Sequence, residues 1–327
     1  MLELDHVSKT YRVGAFGGQE LVAVRNVSFD VASGEVVSLI GESGSGKSTI
    51  GKMILRLSPI TGGAIRFDGK DVSKLKGAAL KGYYLRMQGV FQDPFSSFNP
   101  VFKADRVLKM IRDEYLPHLG DKEWDEKVEA SLADVSLDPA QVLHKFPHQL
   151  SGGQLQRLLI ARALLLDIKF LVADEIISML DASTRIDVLN LLGDLKSRGL
   201  GVLFITHDLS LGNYISDRTV ILRRGIVVEM GKTEKVFGNP QHAYTRMLLA
   251  SVPQLHRTWA EVAAELESVP PAEADARHAA AYARAENAIE TDAADSALVE
   301  FEPDHLVRRA VAQAGAAQAA NAAGKAA

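Results

Sequence analysis

Cysteine is missing from all 327 residues. Its absence excludes disulfides, thiolate metal sites and cysteine-held iron–sulfur clusters, and is compatible with a reducing, cytoplasmic setting. Long apolar runs are missing too. The most apolar stretch, residues 158–173, is broken by Arg162, Asp167 and Lys169 and is too short and too charged to cross a bilayer. Any membrane role is therefore expected to come through a partner. The opening Met1-Leu2-Glu3-Leu4-Asp5-His6-Val7 has no basic region leading into an apolar core, so no signal peptide is expected. Positive charge is not in excess: 37 Lys and Arg against 41 Asp and Glu give a net −4. That balance supplies no reason to expect nucleic acid or an anionic membrane surface as a partner. What remains, 47% hydrophobic and 24% charged residues, fits a soluble globular protein with a large core, and the length suggests about two domains.

The chain is organised around Gly41-Glu42-Ser43-Gly44-Ser45-Gly46-Lys47-Ser48-Thr49. An apolar run, Val36 to Ile40, precedes this stretch and a helix-compatible run, Thr49 to Leu57, follows it. Strand, glycine loop and helix start are the context that makes the pattern a phosphate-binding loop. Small residues let successive N–H groups point inward as an anion nest at the positive end of a helix dipole. Lys47 adds a movable cation for the β- and γ-phosphates, and Ser48 a hydroxyl for Mg²⁺.

Around it, residues 2–40 read mostly as strands, with a glycine-bearing turn at 13–19 and Tyr11 just before it. An aromatic there could stack on a base, or be an ordinary strand tyrosine. Residues 63–70 look like a hairpin arm. Met87 to Gln92 reads as a short strand, followed by a loop with Pro94 and Pro100. Helical spacing then takes over, with Val107, Met110, Ile111 and Tyr115 on one expected face. Pro139 after Asp138 suits the first turn of another helix. The α/β alternation resumes with the buried strand Phe170 to Ala173, a helix over about 183–197, the strand Val202 to Ile205 and a β pair turning at Arg224-Gly225. After about residue 257, alanine dominates, and residues 261–300 hold ten carboxylates against two arginines; helix and disorder both suit such sequence. The island from Leu298 to Val307 alternates enough to be a strand.

Two further stretches carry chemistry. Asp174 and Glu175 end the Phe170 strand, where the first carboxylate would hold Mg²⁺ and the second polarise an attacking water. Ser151, Gly152, Gly153 and Gln154 open a helix and make a second anion-binding helix start, for which Ser151 as a simple N-cap is the plainer reading. One nucleotide does not need two such ends, unless the second serves a partner's nucleotide.

Taken in order, these stretches resemble the ATPases of ABC transporters. Tyr11 resembles the A-loop aromatic, Gly41 to Thr49 the Walker A loop, Gln92 the Q-loop and Leu150 to Gln154 the signature motif. Phe170 to Glu175 resembles the Walker B strand, Ser178 to Asp181 the D-loop and His207 the switch histidine. The resemblance implies an α/β P-loop NTPase with a RecA-like core, an antiparallel β-subdomain and a helical subdomain at about 93–160, all within residues 1–238. A small C-terminal extension at 239–309 and a flexible tail at 310–327 would follow. It implies a head-to-tail dimer that binds ATP and Mg²⁺. In it Tyr11 stacks on adenine, residues 41–49 cradle the phosphates, and Ser48, Gln92 and Asp174 serve the metal. Glu175 acts as base, His207 holds the γ-phosphate, Gln92 reports to a transmembrane partner, and Ser151, Gly152, Gly153 and Gln154 with Asp181 complete the partner's site.

Asn239 to Leu249, Asp93 to Pro100 and the 298–307 island resemble the dipeptide and oligopeptide importer branch. Permease subunits, a second ATPase subunit and, indirectly, a solute-binding protein are the implied partners, at the cytoplasmic face of the membrane. An oligosaccharide or nickel importer, or a soluble ABC ATPase without a transport role, are the alternatives. Three positions depart from the family pattern. Ile176 and Ile168 replace prolines beside the Walker B strand, which is expected to loosen the D-loop, and Ala243 replaces the proline of a His-Pro-Tyr-Thr motif.

Overall fold

The computed structural model describes residues 1–13, 18–251 and 296–310. The chain opens with a long antiparallel pair, β1 (Leu2–Val13) and β2 (Gln19–Val31), and then enters the main sheet through β3 (Val36–Ile40). The helix α1 (Lys47–Ile54) leads to β4 (Gly62–Phe67) and the short β5 (Lys70–Asp71). These form a separate four-stranded sheet in the order β2-β1-β4-β5. Its β4–β5 connection turns through Asp68, at φ +49°, and Gly69, at φ +77°, a left-handed pair that suits a two-residue hairpin. The 63–70 arm is thus the hairpin expected of it.

Next come α2 (Gly77–Tyr84) and β6 (Met87–Val90), then a block of helices: α3 (Arg106–Tyr115), α4 (Asp121–Asp134), α5 (Pro139–Val142) and α6 (Gly152–Leu164). Asp138 caps α5 by accepting from the Ala140 N–H, with Pro139 at the first helical position. In α3 the inward face is set by Leu108 and Ile111, while Met110 is 60% exposed. The expected stripe is therefore rotated toward Leu108, the residue that packs into the large core cluster with Trp124, Val128 and Leu132 of α4.

The alternation then returns: β7 (Phe170–Asp174), α7 (Ala182–Ser197), β8 (Gly201–Thr206), α8 (Leu209–Ile215), β9 (Arg218–Arg223), β10 (Ile226–Lys232), α9 (Thr233–Gly238) and α10 (Ala243–Ala250). Every residue of β3, β7 and β8 is buried, as strands covered on both faces require. The last described elements are β11 (Ser296–Glu302) and β12 (His305–Ala310). The 298–307 island is thus two strands rather than one, turning at Pro303-Asp304, where Asp304 takes φ +59°. The main sheet runs β11-β12-β10-β9-β3-β8-β7-β6. Strands β6, β7, β8, β3 and β9 are parallel, while β10, β12 and β11 continue it antiparallel. The acidic, alanine-rich stretch and the C-terminal tail lie outside the described residues.

This topology decides where chemistry can sit. In register, Ile40 pairs with Thr206, Asp174 with Ile205 and Val90 with Ala173. The carboxyl ends of β3, β6, β7 and β8 therefore share one edge, the place where parallel α/β sheets hold ligands.

Candidate nucleotide site

The loop from Gly41 to Gly46 leaves β3 at that edge and turns into α1. Side chains cannot be accommodated at two of its positions. A Cβ on Gly41 would lie 2.1 Å from the Leu222 carbonyl oxygen, and one on Gly46 would lie 2.5 Å from that of Ala23. Gly46 also takes φ +104° and is the N-cap of α1, with no side chain capping that helix. The first N–H groups of α1 thus open toward the loop, as an anion site needs. Ser45 is buried, and its Oγ finds no hydrogen-bond partner among the described residues. A buried hydroxyl without a partner is costly, and a phosphate oxygen would satisfy it. The cradle therefore fits the triphosphate of ATP.

Lys47 is only 5% exposed, and its Nζ donates to the carbonyl oxygens of Gly41 at 2.7 Å and Glu42 at 2.8 Å. Burial pushes its pKa down, opposed by the charges of Glu175, Asp174 and Glu42. Burial likewise pushes the Asp174 carboxyl up, and Glu175 adds to the rise, while the Ser48 hydrogen bond and Lys47 oppose it. Ser48 Oγ donates to Asp174 Oδ1 at 3.2 Å. A hydroxyl and a carboxylate side by side are the hard oxygen donors that Mg²⁺ favours.

Glu175 follows directly, at φ +50°. Such a backbone is rare for a residue with a long side chain and is held here by the Glu175 N–H, which donates to the Ile205 carbonyl at 2.9 Å. It turns the carboxylate out of the sheet, where Oε1 lies 3.2 Å from Nδ1 of His207. The segment that follows, where looseness was expected, is packed and hydrogen-bonded. Ile176 is 1% exposed and Ile177 2% exposed, the Ser178 N–H and Oγ both donate to the Glu175 carbonyl, and Arg185 donates to the carbonyls of Leu180 and Ser178. Two buried isoleucines and an arginine clasp thus hold contacts at the position where the family pattern has a proline.

Gln92 is exposed just beyond β6, at the shared edge, and leads into the loop carrying Phe95. Tyr11 lies on β1 opposite Leu21; the neighbouring Ala23 of β2 is the residue against which Gly46 closes. One face of the Tyr11 ring is approached by the Lys9 ammonium at 4.7 Å.

The second helix start is built differently. Ser151 Oγ accepts from the Gln154 N–H at 3.2 Å, and Gln154 Oε1 accepts from the Ser151 N–H at 3.0 Å. This capping box makes the plainer reading of Ser151 correct for the single chain. Gly152 faces Met179 in the loop before α7, and Gly153 faces α7 itself. A Cβ on Gly153 would lie 2.6 Å from Thr184 Cγ2, so only glycine lets α6 approach α7 there. Asp181 caps α7, accepting from the Thr184 N–H at 3.0 Å, Thr184 Oγ1 at 2.8 Å and Ser183 Oγ at 2.6 Å. These bonds, led by that from Ser183, hold its carboxyl far below the usual range. The structure therefore unites the loop, Ser48, Asp174, Glu175 and His207 at one edge, and places Ser151 to Gln154 with Asp181 in a second cluster.

The carboxyl-terminal part adds an interaction that spacing did not suggest: Glu42 N–H donates to the hydroxyl of Tyr244, in α10, at 3.1 Å.

Comparison with known proteins agrees with this geometry. Residues 24–178 match the family model for ABC transporters, and residues 228–283 match that for the C-terminal region of oligopeptide/dipeptide transporters. A Brucella ovis ATP-binding protein named for peptide import is 46% identical over 230 residues, 70% of this chain and 72% of that protein. The chain belongs to the ABC transporter ATPase family. The oligopeptide transport ATP-binding protein OppF of Streptococcus mutans is 42% identical over 255 residues, covering 78% and 82% of the two chains. Among solved structures, a dimeric ATP-binding cassette in a post-hydrolysis state with ADP and Pi superposes with a TM-score of 0.64 at 30% identity, over 71% of this chain and 99% of that one. This chain is accordingly an ATP-hydrolysing cassette, and among the described residues no helix is long and apolar enough to cross a membrane.

Proposed function

We propose that this cassette is the ATPase subunit of a peptide importer, working at the cytoplasmic face of the membrane with permease subunits and a second cassette. The observation that carries the reading is the match of residues 228–283 to the oligopeptide/dipeptide transporter C-terminal region, in a chain whose site is that of an ABC ATPase.

In this reading Tyr11 stacks on adenine, and the loop of residues 41–49, with Lys47, holds the phosphates. Ser48 and Asp174, with Gln92 beside them, would hold Mg²⁺, which would supply positive charge to offset that of the phosphates. The Glu175 carboxylate accepts a proton from the attacking water. His207, next to it, orients that water and the γ-phosphate. Ser151, Gly152, Gly153 and Gln154 of the second cassette close over the nucleotide, and Asp181 lies across the junction. ATP binding favours the closed pair and hydrolysis the open one.

The side facing the permeases is the surface after Gln92. Phe95, Val101, Phe102 and Met110 are exposed there, and Val101, Phe102 and Phe146 line a depression of about 430 Å³ together with three cations, Lys103, Arg106 and Lys109, and one carboxylate, Asp105. Apolar residues rimmed by cations suit a short helix carrying acidic ends.

Copurification tests the proposal. The tagged chain, extracted from membranes in mild detergent, is expected to bring permeases and a second cassette, and cells carrying Glu175→Gln are expected to lose uptake of labelled peptides. A chain that returns alone from the soluble fraction, or unchanged peptide uptake in that mutant, would overturn it.

A further inference from the structure

The carboxyl-terminal elements reach the phosphate loop through one peptide unit. The Gly41 carbonyl and the Glu42 N–H belong to the same planar, trans peptide and so point in opposite directions. On one side the carbonyl accepts from Lys47 Nζ at 2.7 Å; on the other the N–H donates to Tyr244 Oη at 3.1 Å. The peptide is a bridge between a phosphate-binding cation and a side chain of α10. Such chains of hydrogen bonds polarise and orient one another in a low-dielectric interior.

Tyr244 is itself held firmly. Its ring is 3% exposed and is covered by the Arg223 guanidinium, 4.9 Å from the ring centre. The start of α10 is fixed by Glu229 of β10, whose carboxylate accepts the N–H groups of Gln241 at 2.7 Å and His242 at 3.0 Å. Glu229 is wholly buried and also meets Nε2 of the equally buried His305, in β12, at 2.7 Å. His305 Nδ1 in turn lies 3.2 Å from Glu302 Oε1. A continuous polar path therefore runs from the terminal hairpin through Glu229 and α10 to the loop.

We propose that Tyr244 is a positioning residue for nucleotide binding: its hydroxyl fixes the 41–42 peptide, and through it the rest position of Lys47, so that the terminal extension sets how tightly the cassette holds ATP. The proposal rests on the phosphate loop being the ATP site. The effect is on affinity, because Tyr244 is outside the loop and meets no reacting atom.

The test is Tyr244→Phe in the full chain, which keeps the ring, its packing and the Arg223 contact. Titration with a fluorescent ATP analogue is expected to show affinity weaker by about three- to tenfold, the worth of one net hydrogen bond. The hydrolysis rate at saturating ATP should stay as in the unmodified chain, while the melting temperature falls by a few degrees at most, since the nucleotide-free chain loses the same hydrogen bond. Hydrogen exchange resolved to single amides should show Glu42 exchanging faster in the variant. Unchanged affinity, a fall in the saturated rate with affinity retained, or weaker affinity with unchanged Glu42 exchange each overturns the proposal. The unmodified chain gives an independent check without any variant: its Glu42 amide must exchange more slowly than that of the exposed Ser43, and equal rates would refute the bond. A normal chain that binds no ATP analogue at all would instead overturn the site assignment.

Discussion

The starts of α1 and α6 are both glycine-rich helix ends, yet they are finished in opposite ways. At α1 the N-cap is Gly46, left-handed and without a capping side chain, beside a buried serine hydroxyl that has no partner among the described residues. At α6 the N-cap is Ser151, closed on itself by a reciprocal pair of bonds with Gln154. The first end is incomplete by itself and gains from a ligand. The second already has its serine hydroxyl engaged at rest, and that hydroxyl must give up its bond to the Gln154 N–H to accept from elsewhere. This difference suits a site in which one cassette binds the nucleotide first and the other engages it only when the two meet. It also separates the two glycine-rich helix ends of one chain by how each is capped.

The largest effect that would sharpen the comparison lies outside both ends. Glu175→Gln should leave ATP binding intact while slowing phosphate release by about 100-fold or more, the contribution of a general base; an unaffected steady-state rate would sink that role for Glu175. Gly46→Ala comes next. Its Cβ would meet the Ala23 carbonyl at 2.5 Å in a backbone at φ +104°, so strain of about 1–3 kcal/mol is expected. Denaturant unfolding should record it, together with weaker ATP binding. Ser151→Ala should be gentler, removing a cap worth about 1 kcal/mol. Nucleotide titration of the single cassette should stay normal, while hydrolysis by paired cassettes falls. Equal loss of single-chain binding at Gly46 and Ser151 would erase the distinction between the ends.

A separate effect concerns acid. Burial pushes the pKa of His242 down to about 4, with Glu229 opposing. Between that value and the ordinary 6.5 the unfolded chain binds the extra proton and the folded chain does not. Stability is therefore complete above about pH 6.5 and declines as pH falls toward 4. Thermal melts of His242→Asn across this range should show a shallower decline than the unmodified chain.

Much of the site was legible because its physics is local. A glycine loop between a buried strand and a helix, and two carboxylates ending a second buried strand, are written in consecutive residues, and parallel register then brings their ends to one edge. The positive φ of Glu175 was not legible, since nothing in the residue type announces it. The burial of Ile176 was not legible either, because it depends on tertiary packing that spacing does not reveal. In α3 the choice between Met110 and Leu108 depended on where α4 sits. The alternation from Leu298 to Val307 ran through Pro303-Asp304 unbroken in pattern, although a Pro-Asp pair is itself a turn signal. Tyr244 had only a resemblance to recommend it, because its partner is a backbone amide about two hundred positions away.

The docking of β12 on β10 has a consequence for the order of events during synthesis. Lys232, at the end of β10, leaves the ribosome well before His305, and at about 5–20 residues per second the interval is on the order of ten seconds. Until then the β10 edge lacks the strand that pairs with it here, and Glu229 lacks the imidazole that later covers it. An unpaired edge is an invitation to other chains, so the nascent cassette has its highest exposure to misassembly just before its last hairpin arrives. A nonsense codon near the end of the message would leave the ATP loop fully translated but make that temporary edge permanent.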